Sequence, residues 1–453
     1  VTGTFKVPVT CAEVARVGNC KRLCYNLGRR GPMTRTKSRW LIAGVGAVLA
    51  LALLWLLTTA NPAIWPIRNT VQYHALTWWW DQFGWPQPGP PGVLRGTIRT
   101  AAGEPIPGAR LLVSRWDGAA YSARADSEGN YVISEVPAGS YRPVAGAPGY
   151  DDVQLGRVTI SGGGEIVADV ILPGETPRSV TPGRNLILGE AKQISCPAPL
   201  ASRALEREVT FDSAGRPNQP TFYYTPVTAT TSSRLPILLA VYPGPADTWQ
   251  CASLPLAQAG YAVLAAGPAY SFDLEADVDE LVRLLEFARQ GQFPGSDSSR
   301  IALLGGSYSS LHVQRLLRRG QDVQAALLLG PPTDLFEMRR RLEEGSYIPP
   351  FGLDRALIAL GLPSQEPLRY WRYSGAYHVR PDFPPVAILH SRSDEVVPYQ
   401  QSELLAANLA QVGAAYEVHF FDGASHYLLA EDADEDSLAI YHLTLDFLAR
   451  QLR

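Results

Sequence analysis

Ile301-Ala-Leu-Leu-Gly-Gly-Ser-Tyr-Ser-Ser310 has the composition of a buried strand that runs into a sharp turn. Helix-compatible residues follow it, so the stretch predicts a strand, a turn and a helix. A turn of this kind presents a nucleophilic serine, and the positions two before and two after that serine must be small. Gly305 and Ser309 meet this requirement around Ser307, and Gly306 is expected to relieve strain further. The alternative is a common Gly/Ser turn, so the rest of the chain must decide.

Two kinds of segment alternate from residue 203 onward. Continuous apolar runs are typical of buried strands, and amphipathic runs are typical of helices. The predicted strands are 235–242, 261–266, 300–304, 325–329, 385–390 and 416–421, and the predicted helices are 254–259, 274–289, 311–319, 402–412 and 437–452. This alternation implies a doubly wound, mostly parallel sheet in an α/β domain of residues 203–453. An interruption at about 333–380 is predicted to form a helical cap.

Two polar residues follow the last two predicted strands, Asp394 after the fifth and His426 after the sixth. A serine nucleophile needs a base within hydrogen-bond reach and an acid that orients the base. Ser307, Asp394 and His426 occur in the chain order of an α/β-hydrolase triad, and we predict that they are catalytic. Taken singly, Asp394 is also interpretable as a loop residue and His426 as a surface histidine. Asp334 is the weaker candidate for the acid.

Hydrogen-bond donors are needed where negative charge develops on the substrate oxygen. One donor is predicted to be the backbone N–H of Tyr308, the residue after the nucleophile. The second normally comes from the loop after the first predicted strand, but Pro243 and Pro245 in that loop have no N–H. The phenol of Tyr242 is therefore expected to supply the second hydrogen bond.

Three motifs of this domain resemble the prolyl oligopeptidase (S9) family. They are Val241-Tyr-Pro-Gly-Pro245, Gly305-Gly-Ser-Tyr-Ser309 and Ile388-Leu-His-Ser-Arg-Ser-Asp-Glu-Val-Val-Pro-Tyr-Gln-Gln-Ser402. The resemblance implies a peptidase in which Ser307, Asp394 and His426 form the triad and Tyr242 donates a hydrogen bond to the oxyanion.

The chain also departs from that family in ways that concern the substrate. It lacks the β-propeller, and with it the acidic pair that binds a free amino terminus in dipeptidyl peptidases. Residues 330–339 do not match the aromatic signature of the proline pocket, and Val396 stands where dipeptidyl peptidases have an asparagine. The first prediction is a prolyl oligopeptidase-like peptidase. A carboxylesterase for small acyl esters is the second, and an adhesion or carbohydrate-binding protein with a degenerate hydrolase domain is the third.

Residues 92–174 have a different pattern. Short alternating stretches are separated by Gly, Pro and Asp turns, as expected of a small all-β sandwich. The motifs Gly103-Glu-Pro-Ile-Pro-Gly-Ala109, Ala125-Asp-Ser-Glu-Gly-Asn-Tyr131 and Val136-Pro-Ala-Gly-Ser-Tyr141 resemble the carboxypeptidase regulatory-like domain. The resemblance implies a structural or adhesive role, and the stretch contains no catalytic cluster.

The N-terminal residues predict a membrane anchor. Residues 1–39 carry nine basic residues and one acidic residue, whereas residues 41–60 carry no charge. An apolar run of about 20 residues crosses a bilayer as a helix, so we predict one transmembrane helix at 40–60. The basic flank puts the N-terminus in the cytoplasm and the catalytic domain outside. A cleaved signal peptide, which would give a secreted protein, is the alternative. Because the first methionine is Met33, residues 1–32 are also interpretable as an over-long start.

Residues 61–91, rich in Trp and Pro, and residues 175–202 are predicted to be linkers. Cys196 and Cys251 are the only cysteines beyond the predicted anchor. An even pair in an oxidising compartment is able to form a disulfide, and we predict a bond between these two cysteines; the alternative is two buried free thiols.

Composition excludes some classes of function. The net charge of −3 and the lack of a basic face after the N-terminal segment exclude a nucleic-acid-binding protein. Cys11, Cys20 and Cys24 lack a fourth ligand, so a zinc site is not expected. We therefore expect no metal and no cofactor, and a small-molecule ester or peptide as the substrate. No particular oligomeric state is predicted.

Overall fold

A computed structural model describes residues 50–52, 54–56, 59, 64–197, 200–213, 219–267, 273–350, 352–423, 425–426 and 435–453. The chain divides into two compact units, residues 1–60 and residues 61–453. The predicted transmembrane helix at 40–60 lies for the most part outside the described residues. Among the residues that are described, no helix is both long and apolar enough to span a membrane.

The second unit begins with helix α1, Trp65–Phe83, in the segment that was predicted to be a linker. Pro66 stands in the first turn, where a missing N–H costs no helical hydrogen bond, and Gly84 follows the last turn. The linker prediction was wrong here because the apolar residues of this helix are not confined to one side. Trp78 and Trp79, for example, are more than half exposed.

The β-sandwich that was predicted next is confirmed. Its strands are β1 (Pro91–Arg99), β2 (Arg110–Ser114), β3 (Ala120–Arg124), β4 (Asn130–Pro137), β5 (Gly139–Tyr141), β6 (Val144–Gly146), β7 (Val153–Gln154), β8 (Val158–Ile160), β9 (Glu165–Val167) and β10 (Val170–Ile171). One sheet has the order β10-β1-β4 with β9 also paired to β1, the other has the order β3-β2-β6-β7, and β5 pairs with β8. Alternate residues such as Leu94, Leu111 and Tyr131 fill the core between the sheets.

A ten-stranded sheet forms the α/β domain. Its strands are β11 (Arg184–Leu188), β12 (Lys192–Cys196), β13 (Ser202–Asp212), β14 (Thr221–Thr225), β15 (Leu235–Val241), β16 (Ala262–Ala266), β17 (Ser296–Gly306), β18 (Ala325–Leu329), β19 (Val386–Ser391) and β20 (Tyr416–Phe421). The order is β11-β13-β14-β16-β15-β17-β18-β19-β20, with β12 also paired to β13. Strands β15 to β20 are mutually parallel, as predicted from their apolar runs.

Two strands of this sheet lie where a linker was predicted at 175–202. Strands β11 and β12 pair antiparallel with β13. Both expose every residue fully or in part, so they lack the apolar run by which the central strands were recognised. The prediction of a linker over these residues is therefore wrong.

Helices cover both faces of the parallel strands, as expected for a doubly wound sheet. They are α2 (Gln250–Gln258), α3 (Leu274–Arg289), α4 (Ser310–Arg318), α5 (Leu335–Glu343), α6 (Leu353–Ala359), α7 (Pro367–Tyr373), α8 (Gln400–Val412) and α9 (Glu435–Gln451). Helices α5, α6 and α7 lie between β18 and β19 in the chain, in the segment predicted to form the cap. The fold is that of an α/β-hydrolase preceded by a β-rich domain.

A disulfide joins Cys196 at the end of β12 to Cys251 in α2, with the two Cα atoms 5.6 Å apart. The prediction of a bond between these two cysteines is confirmed. The bond closes a loop of 55 residues, which is worth about 4 kcal/mol in the chain-entropy account. It fixes the outer strand to the helix that follows the Tyr242 loop.

The β-sandwich packs directly on the cap and on α4. The indole of Trp371 in α7 donates to Asp152 at 2.9 Å, and Arg318 in α4 donates to the carbonyls of Ala147 and Tyr150. Gly118 approaches α5 so closely that an added Cβ would lie 2.4 Å from a backbone carbonyl oxygen. The sandwich is thus a support for the elements that surround the candidate site.

Candidate active site

Ser307 stands at the turn between β17 and α4 and has a left-handed backbone conformation, with φ of 52°. Residues Ser307–Ser309 form one turn of 3-10 helix before α4 begins. A non-glycine residue in this region costs about 1–3 kcal/mol and persists only where its surroundings impose it. This is the strained strand–turn–helix geometry that the sequence predicted.

The side-chain hydroxyls of Ser309 and Ser310 stabilise the turn. Ser309 is fully buried, and its Oγ lies 2.5 Å from the carbonyl oxygen of Val241 and 2.7 Å from that of Gly306. Ser310, also buried, donates to the carbonyl of Gly305 at 2.9 Å. Both hydroxyls therefore serve the turn, which leaves Ser307 as the candidate nucleophile.

The two glycines of the turn have different roles. A Cβ on Gly305 would lie 2.7 Å from the side chain of Val313, so only glycine fits there. Gly306 has an extended backbone, with φ of −116° and ψ of 143°, and a Cβ would meet only ordinary contact with Leu329 at 3.8 Å. The expectation that Gly306 relieves strain is wrong, because the strain falls on Ser307 itself.

Asp394 and His426, which follow different strands, meet in a buried hydrogen bond. His426 Nδ1 lies 2.7 Å from Asp394 Oδ2, and each side chain is 2% exposed. The other carboxylate oxygen accepts from the backbone N–H groups of Val396 at 2.8 Å and Val397 at 2.7 Å. The carboxylate is thereby fixed at both oxygens, as an acid that orients a histidine must be.

A second histidine, His390, contacts the same carboxylate and was assigned no role from the sequence. Its Nε2 lies 3.1 Å from Asp394 Oδ2 and 2.9 Å from the carbonyl oxygen of Val397. Its Nδ1 lies 2.6 Å from Ser402 Oγ. Its position in the sequence could have indicated this contact. His390 lies four residues before Asp394, at the end of β19, where its side chain is able to contact that carboxylate.

The environment of Asp394 favours its ionised form. Burial acts to raise the pKa of this carboxyl, but the hydrogen bonds and charges of His390 and His426 outweigh burial and hold the pKa well below its ordinary value. An ionised carboxylate at Nδ1 keeps the proton of His426 on that nitrogen, so Nε2 is the basic nitrogen of the ring. This is the tautomer that a general base for a serine requires.

Gly330, directly after β18, makes room for the Asp394–His426 pair. Its φ is 51°, and an added Cβ would lie 3.1 Å from Asp394 Oδ2 and 3.3 Å from His426 Nδ1. Any side chain at this position would push against the pair. No local pattern in the sequence indicates this requirement, because the contact is between residues far apart in the chain.

Asp334, the weaker candidate acid, caps helix α5 instead. It accepts from the backbone N–H groups of Phe336 at 2.9 Å and Glu337 at 3.2 Å, and from the phenol of Tyr377 at 2.6 Å. The hydrogen bonds of its carboxylate therefore serve the start of the cap.

The loop after β15 has few backbone donors left for a substrate oxygen. The N–H of Tyr242 donates to Ala266 at 2.8 Å, and the N–H of Gly244 donates back to the carbonyl of Tyr242 at 2.9 Å. Pro243 and Pro245 have no N–H. The backbone of residues 242–245 therefore offers no donor, which leaves the phenol of Tyr242.

The phenol of Tyr242 is buried and held in place. Its ring stacks on Trp249, with the centroids 5.5 Å apart, and its oxygen accepts from Ser253 Oγ at 2.9 Å. Burial raises the pKa of this phenol well above its ordinary value, against the opposing effect of the bond from Ser253. The phenol therefore keeps its proton, and the bond accepted from Ser253 leaves that proton for another acceptor.

Ser307 and His426 lie where two cavities meet. The smaller, of about 90 Å³, is lined by both residues, by Tyr242 and by apolar side chains of α2 and α9. The larger, of about 930 Å³, is lined by both residues and by side chains of α1, α5 and α6. Within the described part of the chain, no group of three or more His, Cys, Asp or Glu is placed to hold a metal ion.

Two family models match this chain. Residues 93–173 match the carboxypeptidase regulatory-like domain, and residues 275–453 match the prolyl oligopeptidase family. Both domain resemblances predicted from the sequence are confirmed. The second match includes Ser307, Asp394 and His426, and it shows a serine hydrolase, of the peptidase or the esterase kind.

Several solved structures similar to this chain are esterases. A truncated carbohydrate esterase from gut microbiota is 18% identical over 53% of this chain and 94% of its own, with a TM-score of 0.44. The butyrate-bound esterase of the Planctomycetes species Thermogutta terrifontis is 19% identical over 53% and 90%, with a TM-score of 0.40. Esterase B of Lactobacillus Rhamnosis is 16% identical over 53% and 84%, with a TM-score of 0.44. No curated protein matches the chain.

Replacing Ser307 by alanine is expected to abolish covalent labelling by a fluorophosphonate probe and to lower kcat by several orders of magnitude, because triad members act as one unit. Ser232→Ala, which changes an exposed loop serine, is the control and should label as the wild type does. Labelling is read by fluorescence after electrophoresis. Undiminished labelling of Ser307→Ala would show that another residue is the nucleophile.

Replacing Tyr242 by phenylalanine is expected to lower kcat by about 10- to 1,000-fold, the loss that follows removal of one oxyanion donor. KM should change little, since the missing bond forms chiefly in the transition state. Ser253→Ala, which keeps the phenol and removes only the bond to it, should cost less. A wild-type kcat in Tyr242→Phe would exclude the phenol as an oxyanion donor.

Proposed function

We propose that this chain hydrolyses carboxylic esters that carry apolar groups, by way of an acyl-enzyme at Ser307. The observation that carries the proposal is the buried Asp394–His426 pair at the meeting point of two apolar cavities that Ser307 also lines. The match of residues 275–453 to the prolyl oligopeptidase family supports a serine hydrolase at this position.

The walls of the larger cavity favour an ester over a peptide. A peptide places N–H and C=O groups on both sides of the scissile bond, and each one buried without a partner costs about 1–3 kcal/mol. The hydroxyl of Thr70 is already bonded within α1, and the phenol oxygen of Tyr373 accepts from the first N–H of α3. The side chains of the lining residues His74 and Arg355 are exposed, so they belong to the mouth of the cavity. An apolar ester needs few polar partners beyond the reacting carbonyl.

The proposed reaction uses each residue in a defined step. Ser307 Oγ attacks the ester carbonyl carbon while His426 Nε2 takes the hydroxyl proton, and Asp394 stabilises the imidazolium that results. The carbonyl oxygen becomes an oxyanion that accepts from the N–H of Tyr308 and the phenol of Tyr242. The alcohol leaves with the proton from His426, and water then attacks the acyl-enzyme by the same route and releases the acid.

Peptide hydrolysis is the second candidate, and the family match is the observation that favours it. The sequence alone put a peptidase first, whereas the apolar cavity walls support an esterase. The two candidates share Ser307, Asp394 and His426, so only the substrate separates them.

Hydrolysis of matched esters and amides by the detergent-purified full chain tests the proposal. For the same apolar acyl group, kcat/KM is divided by the rate constant for hydroxide-catalysed hydrolysis of the same substrate, to remove the intrinsic reactivity of the leaving group. The normalised kcat/KM for the p-nitrophenyl ester is expected to exceed that for the p-nitroanilide by at least about 10- to 100-fold, because the amide adds a buried N–H without a partner. Ser307→Ala is the control for background hydrolysis. A larger normalised kcat/KM for peptidyl-proline anilides than for any ester would establish the peptidase instead.

We propose further that the chain is held at a membrane, with the catalytic domain on the outer side. The uncharged residues 41–60 and the basic residues before them support this orientation. Four residues separate that segment from α1, on which Trp78, Trp79 and Phe83 are exposed. Tryptophans that follow an apolar span in the sequence are typical of the headgroup layer.

Reporter fusions test this orientation. A reporter that is active only outside the cytoplasm is expected to work when fused after Arg453 and to be silent when fused before Trp40, because the basic flank stays in the cytoplasm. Reporter activity in cells is the measurement. The opposite pattern would refute the orientation.

A further inference from the structure

We infer that helix α1 is a wall of the substrate site, and that the larger cavity binds an extended hydrocarbon chain of the ester whose length α1 limits. The inference rests on the proposed function and adds a substrate class to it. It concerns a segment that is separated in sequence from the α/β domain by the whole β-sandwich.

The first half of α1 is fixed to the cap by buried and charged contacts. Asn69 is 3% exposed, and its side chain donates to the carbonyl of Ala359 in α6 at 2.8 Å. Arg68 forms an ion pair with Glu366 at 2.9 Å. Gly361 leaves room for this contact, since a Cβ there would lie 3.0 Å from the amide nitrogen of Asn69. These contacts place the start of the helix against the cap at a defined position.

Further contacts continue along the helix. The guanidinium of Arg369 lies 4.1 Å from the ring centroid of Trp65, and that of Arg339 lies 4.7 Å from the ring centroid of Tyr73. The phenol of Tyr73 also donates to Glu343 in α5 at 3.3 Å. Such cation–π contacts contribute most where they are shielded from water. Helix α1 therefore packs as part of the cap, although it is far from the cap in the sequence.

The last turn of α1 is held by the β-sandwich. Trp80 packs on Trp116 of the loop between β2 and β3, with ring centroids 4.6 Å apart, and Trp85 packs on both. The same loop contains Gly118, which approaches α5. The sandwich thus holds α1 and the cap together, which gives the cavity a fixed wall.

The side of α1 that faces the cavity contributes Pro66, Thr70 and Val71, and the exposed side chains of Ile67 and His74 lie at its mouth. The cavity runs from these residues to Ser307 and His426, so whatever lies against α1 is continuous with the reacting bond. Its volume of about 930 Å³ is at the upper end of the range of small-molecule sites. Apolar walls, a large volume and continuity with the nucleophile together fit a hydrocarbon chain attached to the ester group.

Two series of esters test the inference with the full chain. One series lengthens the acyl chain of p-nitrophenyl esters from acetate to palmitate, and the other lengthens the alcohol of acetate esters. In one of them kcat/KM is expected to rise about fourfold per added methylene, the factor that about 0.8 kcal/mol per buried methylene gives, until the cavity is full. The series that rises identifies the side of the ester that enters the cavity.

Val71→Trp places a large side chain in the cavity and should lower kcat/KM for the preferred long ester by a factor at least about tenfold larger than the factor for the acetate ester. Ala75→Trp, an exposed position of α1 outside the cavity lining, is the matched control and should keep the wild-type chain-length profile. Val71→Ala introduces a smaller side chain, so it causes no steric clash that would obstruct folding. It should flatten the dependence of kcat/KM on chain length at the longest chains, because an apolar contact is lost.

The outcomes separate the inference from the proposed function. Ester hydrolysis with a flat profile in both series, or identical profiles for Val71→Trp and Ala75→Trp, would overturn the inference and leave the esterase standing. Labelling of Ser307 by alkylphosphonate p-nitrophenyl esters needs no turnover. Labelling that accelerates with chain length in the wild type and not in Val71→Trp would support the inference even if no ester were hydrolysed.

Discussion

The left-handed backbone of Ser307 is the constraint on which the rest of the site depends. Its strain is held by the buried hydroxyl of Ser309, which bonds to the carbonyl of Val241, the last residue of β15. Val241 is paired in register with Gly305 across β15 and β17, and Tyr242 follows it directly. One short hydrogen bond therefore fixes the turn that presents the proposed nucleophile and the start of the loop that carries the proposed oxyanion donor. Backbone strain persists only where neighbours over-determine it, and here they do.

The electrostatic counterpart of this constraint is the carboxylate of Asp394. It is buried, and it is bonded to two histidines and two backbone N–H groups, so its charge is compensated from four directions. A buried charge without such partners would be neutralised instead. The left-handed Gly330 permits the close approach of Asp394 and His426, and His390 fixes the carboxylate from the other side. The geometry of the pair is thus set by residues on three neighbouring strands.

The sequence predicted the central strands because their apolar runs are continuous, and two of them, 325–329 and 416–421, agree residue for residue with the structure. It also named the residues that meet at the carboxyl ends of those strands, since chain order and strand position suffice for that. Strands β11 and β12 were not predicted because edge strands are exposed and carry no apolar run. Helix α1 was not predicted because some of its aromatic residues pack on the protein and others are exposed to solvent. The roles of His390, Gly330 and Ser253 depend on contacts between distant residues, which no local pattern encodes.

The β-sandwich is more than an appended domain, since it holds α1 and the cap over the cavity. In the proposed reaction, Ser307 attacks a substrate whose hydrocarbon chain lies against α1. A crystal structure of the full chain after reaction with a long-chain alkylphosphonate p-nitrophenyl ester tests it most directly. We expect phosphorus bonded to Ser307 Oγ, its oxygen within hydrogen-bond distance of the Tyr242 phenol and the Tyr308 N–H, and the alkyl chain in contact with Val71. Phosphorus on any other residue, or an alkyl chain that leaves the cavity for solvent, would exclude this mode of binding.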